Sequence, residues 1–350
     1  MASFHTLTIA DVARDTEHAT VLTFDVPPDL KDAFAFTPGQ YLTLRAEIDG
    51  QDTRRSYSIC AALGAPLAVG IKQIEGGTFS TFAQSLRPGD TLQVMPPEGR
   101  FTAEISGQHR YLLIAAGSGI TPILSIAASV LEGEPASRIT LLFANQRTET
   151  VMFREALEDL KDRHLSRFRL THIMSREAQD IAALNGRIDA EKLEALTASG
   201  LIDPKANDAI YICGPQPMTQ TAAAAFKAMG IDDAKIKTEL FTASTPPSTQ
   251  PKPKPIPEGA TVEVILDGTR KSFAMNGDTS VIEAAAKAGF ELPYSCANGM
   301  CATCRCKLAE GDATMTQNFS LEDWECDAGY VLACQTRPVS DKIVLDFDAV

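Results

Sequence analysis

Histidine is scarce in this chain: there are five in 350 residues, His5, His18, His109, His164 and His172, and they form no metal-ligand spacing. They give no ground for a histidine-built metal centre or for a serine-histidine-aspartate site. Basic charge is short as well. Lysine and arginine number 32 against 45 aspartates and glutamates, a net charge of −13, so nucleic acid is not an expected partner. The opening stretch, MASFHTLTIADVARDTEHA, lacks a basic segment followed by an apolar one, so no secretory leader is expected. The expected location is cytoplasmic, where thiols stay reduced. An uninterrupted apolar span is missing too. Tyr111 to Leu131 carries no charge, but Gly117, Gly119 and Pro122 break it, which predicts a buried strand, a turn and a helix rather than a membrane span. No membrane partner is expected.

What the chain does have is a change of composition near residue 250. STPPSTQPKPKPIPE, residues 244–258, holds six prolines and a single large apolar residue, Ile256. Such a segment favours extended polyproline geometry and reads as a semi-rigid tether; at ~3.1 Å per residue it would reach roughly 45 Å. A ligand for a proline-binding domain is the alternative reading of the same composition. Beyond it, residues 259–350 carry 14 acidic and 7 basic side chains. This concentrated acidity is either a solvated face or a docking surface for a basic partner protein.

CANGMCATCRC, residues 296–306, places half of the chain's eight cysteines in one loop. Cys296, Cys301 and Cys304 have the spacing C-x4-C-x2-C, and Cys334 follows far along the chain in YVLACQ. Structural zinc sites usually bring two close cysteine pairs, so zinc is the weaker alternative. Three ligands from one loop and a distant fourth is the plant-type [2Fe–2S] arrangement. Gly299 and the small Ala297, Ala302 and Thr303 would let backbone N–H groups approach the sulfurs. TVEVILDGTRKSFAMN predicts two strands joined at Asp267-Gly268, and SVIEAAAKAGF predicts a helix. Residues 259–350 thus resemble a plant-type ferredoxin, which implies a β-grasp fold. Cys306 is expected to be a small buried side chain, and Cys326, among acids in EDWECD, has no assigned role.

A cluster of this kind takes one electron at a time, and the rest of the chain supplies a source. RRSYSIC, residues 54–60, resembles the R-x-Y-S flavin motif of the ferredoxin–NADP reductase superfamily, and GGTFS resembles its G-x-x-S phosphate turn. On that resemblance Arg55 meets flavin phosphate, Tyr57 packs on the isoalloxazine, Ser58 bonds near its reactive nitrogen, and Gly77 and Ser80 form the phosphate turn. From Arg110 on, strands and helices alternate, which predicts a parallel sheet. AAGSGITPIL carries the G-x-G-x-x-P form of the dinucleotide loop used by the same superfamily. Gly117, Gly119, Thr121 and Pro122 are its expected nucleotide-binding residues. YICGP places Cys213 and Gly214 on the expected nicotinamide side, and TELF offers Glu239 and Phe241 beside the flavin. Ser58, Cys213 and Glu239 are the residues expected at the hydride-transfer centre.

The expected architecture is therefore multidomain. It comprises an antiparallel β-barrel flavin domain (1–104), an α/β parallel-sheet nicotinamide domain (105–243), the tether (244–258) and a β-grasp ferredoxin domain (259–350). Together with CATCRCKL and IVLDFDA, these motifs resemble the reductase components of multicomponent oxygenases. The resemblance implies electron transfer from a nicotinamide through FAD to a [2Fe–2S] cluster and on to an oxygenase component. FAD rather than FMN rests on the resemblance alone. NADPH is the expected donor, with Ser175 and Arg176 at its 2′-phosphate, though Glu177 next door allows an ordinary charge pair and NADH as the alternative. A hybrid-cluster protein as acceptor, or an iron–sulfur carrier or redox sensor without turnover, are the remaining alternatives.

Overall fold

Leu7 and Ile9 alternate with polar neighbours in TLTIAD, the period of a half-buried strand, and both side chains are fully buried. They open the first of two compact units, Phe4–Ser244, the second beginning at Thr245. The computed structural model describes residues 4–241, 259–275 and 279–349, so the proline-rich stretch 244–258 lies outside the described residues.

The first unit begins with strands β1 (His5–Thr16), β2 (Ala19–Asp25), β3 (Tyr41–Ile48), β4 (Gln51–Ser58), β5 (Ala68–Lys72) and β6 (Thr91–Val94), with the short helix α1 (Thr78–Phe82) before β6. They form one six-stranded antiparallel sheet in the order β4-β3-β6-β1-β2-β5. Just past β4, Ile59 bridges Val69 of β5, and the outer strands meet, so the sheet curls into a barrel around Leu7, Leu22, Leu42, Leu44 and Ile71. Closure removes the exposed edges. Asp49 and Gly50, at φ 52° and 72°, make the two-residue turn that fixes the β3–β4 register, with Arg55 opposite Leu44 and Tyr57 opposite Leu42.

A parallel sheet follows, built from β7 (Arg110–Ala116), β8 (Arg138–Asn145), β9 (Phe168–Met174), β10 (Ala209–Gly214) and β11 (Ile236–Leu240). Helices α2 (Ile120–Gly133), α3 (Arg154–Arg163), α4 (Ala190–Ala198) and α5 (Gln216–Ala228) connect these strands. The order β11-β10-β7-β8-β9 puts the topological switch between β7 and β10, where open α/β sheets bind ligands beyond the strand ends. Tyr111–Leu131 is strand, turn and helix, and every residue from Ile120 to Leu131 is buried. A helix apolar on all sides needs cover on all sides. α2 has it from the sheet and from the barrel side, where Ser125 Oγ donates to the Ala61 carbonyl at 2.6 Å and Leu63 N donates to Ser129 Oγ at 2.9 Å. No helix among the described residues is long and apolar enough to cross a membrane.

The second unit holds β12 (Ala260–Leu266), β13 (Thr269–Met275), α6 (Val281–Lys287), β14 (Arg305–Glu310), β15 (Ala313–Met315), α7 (Asp323–Asp327), β16 (Tyr330–Leu332), β17 (Thr336–Pro338) and β18 (Lys342–Asp346). A mixed sheet in the order β13-β12-β18-β14-β16 packs Val262, Val264, Ile343 and Leu345 with α6, as a β-grasp fold requires. Asp267 and Gly268, at φ 52° and 70°, form the expected hairpin turn, and both their amides donate to Asp348 at 2.8 Å. Serine at the start of α6 completes a capping box with Glu283.

Candidate electron-transfer sites

In the loop between α6 and β14 the backbone reverses hand repeatedly. Ala297, Gly299 and Ala302 have φ of 56°, 72° and 57°, a left-handed region that costs a non-glycine residue roughly 1–2 kcal/mol. The result is a concave row of amides. Asn298 N and Met300 N each donate to Cys296 Sγ at 3.4 Å. The Gly299 amide bonds to Cys334, whose sulfur also lies 3.7 Å from Gln335 Nε2. A Cβ on Gly299 would lie 3.1 Å from the Gln317 carbonyl, so this position has little room for a larger residue.

The four sulfurs gather in two pairs, Cys296 with Cys301 and Cys304 with Cys334. Within each pair one thiol donates to the other. The accepting Cys296 is lowered to about 6 and Cys334 is lowered as well, while their donors Cys301 and Cys304 are raised. Among the described residues no three cysteine, histidine or acidic side chains gather as ligands for one ion. A single structural zinc would want four donors around one point, whereas two irons bridged by sulfides take two cysteines each. The pairing and the inward amides therefore fit a [2Fe–2S] cluster. Cys306 is fully buried, and the half-buried Cys326 accepts from Asn318 Nδ2 at 3.5 Å.

On β4, Arg55 and Tyr57 share one face and Ser58 takes the other. Arg55 is exposed; Tyr57 is half-buried, with its ring 5.7 Å from Phe79; Ser58 is buried. Burial pushes the Tyr57 hydroxyl well up, keeping it neutral. The turn before α1 is tight: a Cβ on Gly77 would fall 2.4 Å from Ser80 Oγ. That hydroxyl is engaged inside the turn, accepting from Ile74 N at 3.1 Å and donating to the Gly77 carbonyl at 3.3 Å. Ser80 thus shapes the turn, and the amides that open α1 are the donors left for an anion.

The two loops at the switch point touch. A Cβ on Gly119 would lie 2.3 Å from the Cys213 carbonyl oxygen, so only glycine lets the β7 and β10 loops close on each other. Gly117 adopts φ 54°, and a Cβ on Gly214 would fall 2.9 Å from the Met218 methyl and 3.1 Å from Ala116 Cβ. Thr121 Oγ1 donates to Ser118 O at 3.0 Å, and Thr121 packs toward Gly70 of the barrel; Pro122 is buried in the first turn of α2. Cys213 is fully buried, its Sγ 3.8 Å from Glu239 Oε2, and burial followed by the Glu239 charge raises it, so the thiol stays neutral. Phe241 N lies 3.4 Å from the Gly214 carbonyl. Lys72 was not singled out by sequence. Its ammonium reaches toward Gly117, burial lowers its pKa, and no ion pair involves it among the described residues. A lone lysine ending the apolar run APLAVGIK is the sole sequence signal.

Beyond β9, Ser175 and Arg176 are exposed, and Ser175 Oγ donates to Asn145 O at 3.3 Å. Glu177 bonds to Thr148 rather than to Arg176, through its amide at 2.7 Å and its hydroxyl at 2.6 Å. The flavin and nicotinamide residues thus gather in one unit, and the cysteines in the other.

Comparison with known proteins agrees. Family models match residues 7–103 (oxidoreductase FAD-binding domain), 113–224 (oxidoreductase NAD-binding domain) and 264–339 (2Fe-2S iron-sulfur cluster binding domain). The chain is 45% identical to a subunit of 1,2-phenylacetyl-CoA epoxidase from Escherichia coli K12, over 100% of this chain and 99% of the relative. It is 31% identical to the ferredoxin reductase component of 3-ketosteroid-9-alpha-monooxygenase from Rhodococcus rhodochrous, over 97% and 96%. The solved phthalate dioxygenase reductase superposes with a TM-score of 0.62 at 23% identity, covering 98% of both chains. With its FAD-binding, nicotinamide-binding and [2Fe–2S] domains in one chain, the protein belongs to the oxidoreductase family that includes the reductase components of multicomponent oxygenases.

Proposed function

We propose that this oxidoreductase passes electrons from NADPH through FAD and a [2Fe–2S] cluster to an oxygenase component, phenylacetyl-CoA 1,2-epoxidase of aerobic phenylacetate degradation. The observation that carries the choice of partner is 45% identity, end to end, with a component of that epoxidase. Reduced nicotinamide gives two electrons together and the cluster takes one, and bound flavin mediates because it accepts a pair and releases them singly.

The chain's own residues hold and orient. Arg55 and the amides opening α1 would hold flavin phosphate, Tyr57 and Phe241 would pack on its ring, and Ser58 would bond near its reactive nitrogen. Gly117 and Gly119 would let the backbone approach the nucleotide pyrophosphate, with Thr121 and Pro122 fixing the start of α2. Cys213, neutral and backed by Glu239, would present an uncharged surface to the nicotinamide beside Gly214. Cys296 and Cys301 would hold one iron, and Cys304 and Cys334 the other. Ser175 and Arg176 would bind the 2′-phosphate of NADPH; Arg176 forms no ion pair among the described residues, which supports it as a hydrogen-bond donor to that phosphate over the charge-pair reading. The domain limits 1–104, 105–243 and 259–350, the tether and a cytoplasmic location complete the proposal.

The test is anaerobic reduction followed by reconstitution. NADPH is expected to bleach the flavin absorbance and then that of the cluster, and the reduced protein to support epoxidation of phenylacetyl-CoA by the purified oxygenase component. Failure to bleach would leave only a carrier or sensor. Bleaching without coupled turnover would point to another oxygenase, as the 3-ketosteroid relative allows.

A further inference from the structure

An acid just past the strand that ends at the nucleotide ribose normally accepts the ribose hydroxyls and disfavours a 2′-phosphate. Glu177 holds that position, one residue beyond Arg176, yet each of its oxygens already accepts a hydrogen bond from Thr148. Oε2 accepts the Thr148 amide at 2.7 Å and Oε1 accepts the Thr148 hydroxyl at 2.6 Å. Thr148 belongs to the neighbouring β8 loop, whose strand runs parallel to β9 with Asn145 opposite Met174. Arg147 precedes it, and its backbone is fixed in turn by Thr150, which accepts from Arg147 N at 3.3 Å and donates to Arg147 O at 2.8 Å. Arg147 is close enough to Glu177 to help lower its pKa, after the two Thr148 bonds. Its guanidinium also lies 3.8 Å from Glu149 Oε1 in an exposed pair, which binds weakly.

We propose that Glu177 is a positioning residue for nucleotide selection: its bridge to Thr148 withdraws the carboxylate from the ribose and fixes the Arg147 loop beside Arg176, leaving two guanidiniums for a 2′-phosphate. The proposal rests on the NADPH reading above. The bridge neutralises the local argument for NADH without removing the acid. Released from Thr148, the carboxylate is free to turn back toward the ribose, and the Arg147 loop loses its anchor. The sign of the substitution effect separates this role from a plain electrostatic one. An acid acting only as a nearby negative charge would, when removed, make phosphate bind more tightly. An acid acting as a clamp would, when removed, make it bind more weakly.

The experiment measures dissociation constants for NADP+ and NAD+ by calorimetry on the full chain, with KM for NADPH and NADH in ferricyanide reduction alongside. Thr148→Val removes one bond of the bridge at constant charge. It is expected to weaken NADP+ roughly tenfold, the scale of one charged hydrogen bond, with little change for NAD+. Thr148→Ser restores the hydroxyl and is expected to restore the ratio. Glu177→Ala is expected to weaken NADP+ as well, and unchanged flavin content reports that each variant is folded. Tighter NADP+ binding by Glu177→Ala, or an unchanged ratio in Thr148→Val, overturns the clamp. The unsubstituted protein reports separately on the underlying reading: if it binds NAD+ more tightly than NADP+, the NADPH preference fails and the clamp with it.

Discussion

Cysteine at 334 and cysteine at 326 lie eight residues apart, and their surroundings differ in kind. Cys334 is buried, paired with Cys304 and reached by the Gly299 amide; Cys326 faces Asn318 on an acidic helix. Cys334→Ser is expected to lose the two irons and two acid-labile sulfides per chain, while Cys326→Ser retains them, as iron and sulfide analysis would show. A second residue-scale prediction concerns pH. Both oxygens of Asp15 accept the Phe153 amide, at 2.9 and 3.0 Å, which ties β1 to the segment before α3. Burial, partly offset by that bond, raises the Asp15 pKa above 3.8. A raised carboxyl favours the protonated form in the fold, so its contribution to stability is present below that ordinary value and is lost as pH rises through the raised one. Asp15→Asn keeps an acceptor without the charge. Its thermal midpoint, relative to the unsubstituted protein, is expected to rise between acid and neutral pH.

At the scale of elements, turns and caps are the features that local sequence states most clearly. Asp267-Gly268 is a two-residue hairpin turn, as read from sequence, because only residues tolerant of positive φ suit both positions. Ser280 starts α6 in a reciprocal cap: its hydroxyl accepts from Glu283 N at 3.2 Å and its amide donates to Glu283 Oε2 at 2.8 Å. Ser280→Ala is expected to lower stability by about 1 kcal/mol, read as a lower midpoint for thermal bleaching of the cluster's visible absorbance. The Tyr111–Leu131 stretch was equally legible, since two glycines and a proline punctuate it. The inward role of the Ser80 hydroxyl was not, because a phosphate-turn motif names residue types and leaves open which way each side chain points.

At the scale of the whole molecule, the flavin and nicotinamide modules share one unit and the cysteine loop belongs to another. Residues 1–243 alone are expected to bind flavin and reduce ferricyanide with NADPH, yet to fail with a protein acceptor that depends on the cluster. Steady-state assays with the two acceptors check this; full transfer to the protein acceptor would make the second unit dispensable. Residues 259–350 carry 14 acids against 7 basic side chains, which suits docking to a basic oxygenase face. Oxygenase turnover at subsaturating partner is then expected to fall with salt, as screening shortens to ~8 Å at physiological ionic strength, while flavin reduction changes far less.

The family, the three cofactor modules and their order were determined by the sequence alone, because each rests on short-range spacing. C-x4-C-x2-C, R-x-Y-S and G-x-G-x-x-P each place their groups within one turn or strand end, where a few backbone dihedrals fix the geometry. The division of the four cysteines into Cys296–Cys301 and Cys304–Cys334 needed the fold that returns Cys334 to the loop. So did the contact of Gly119 with the Cys213 carbonyl, the approach of Lys72 to Gly117, and the bridge from Glu177 to Thr148. In the last case adjacency in sequence allowed a charge pair of Glu177 with Arg176 as the alternative reading. The tertiary structure decided otherwise, because parallel strand pairing brings the β8 loop beside it and offers two hydrogen-bond donors to its two oxygens.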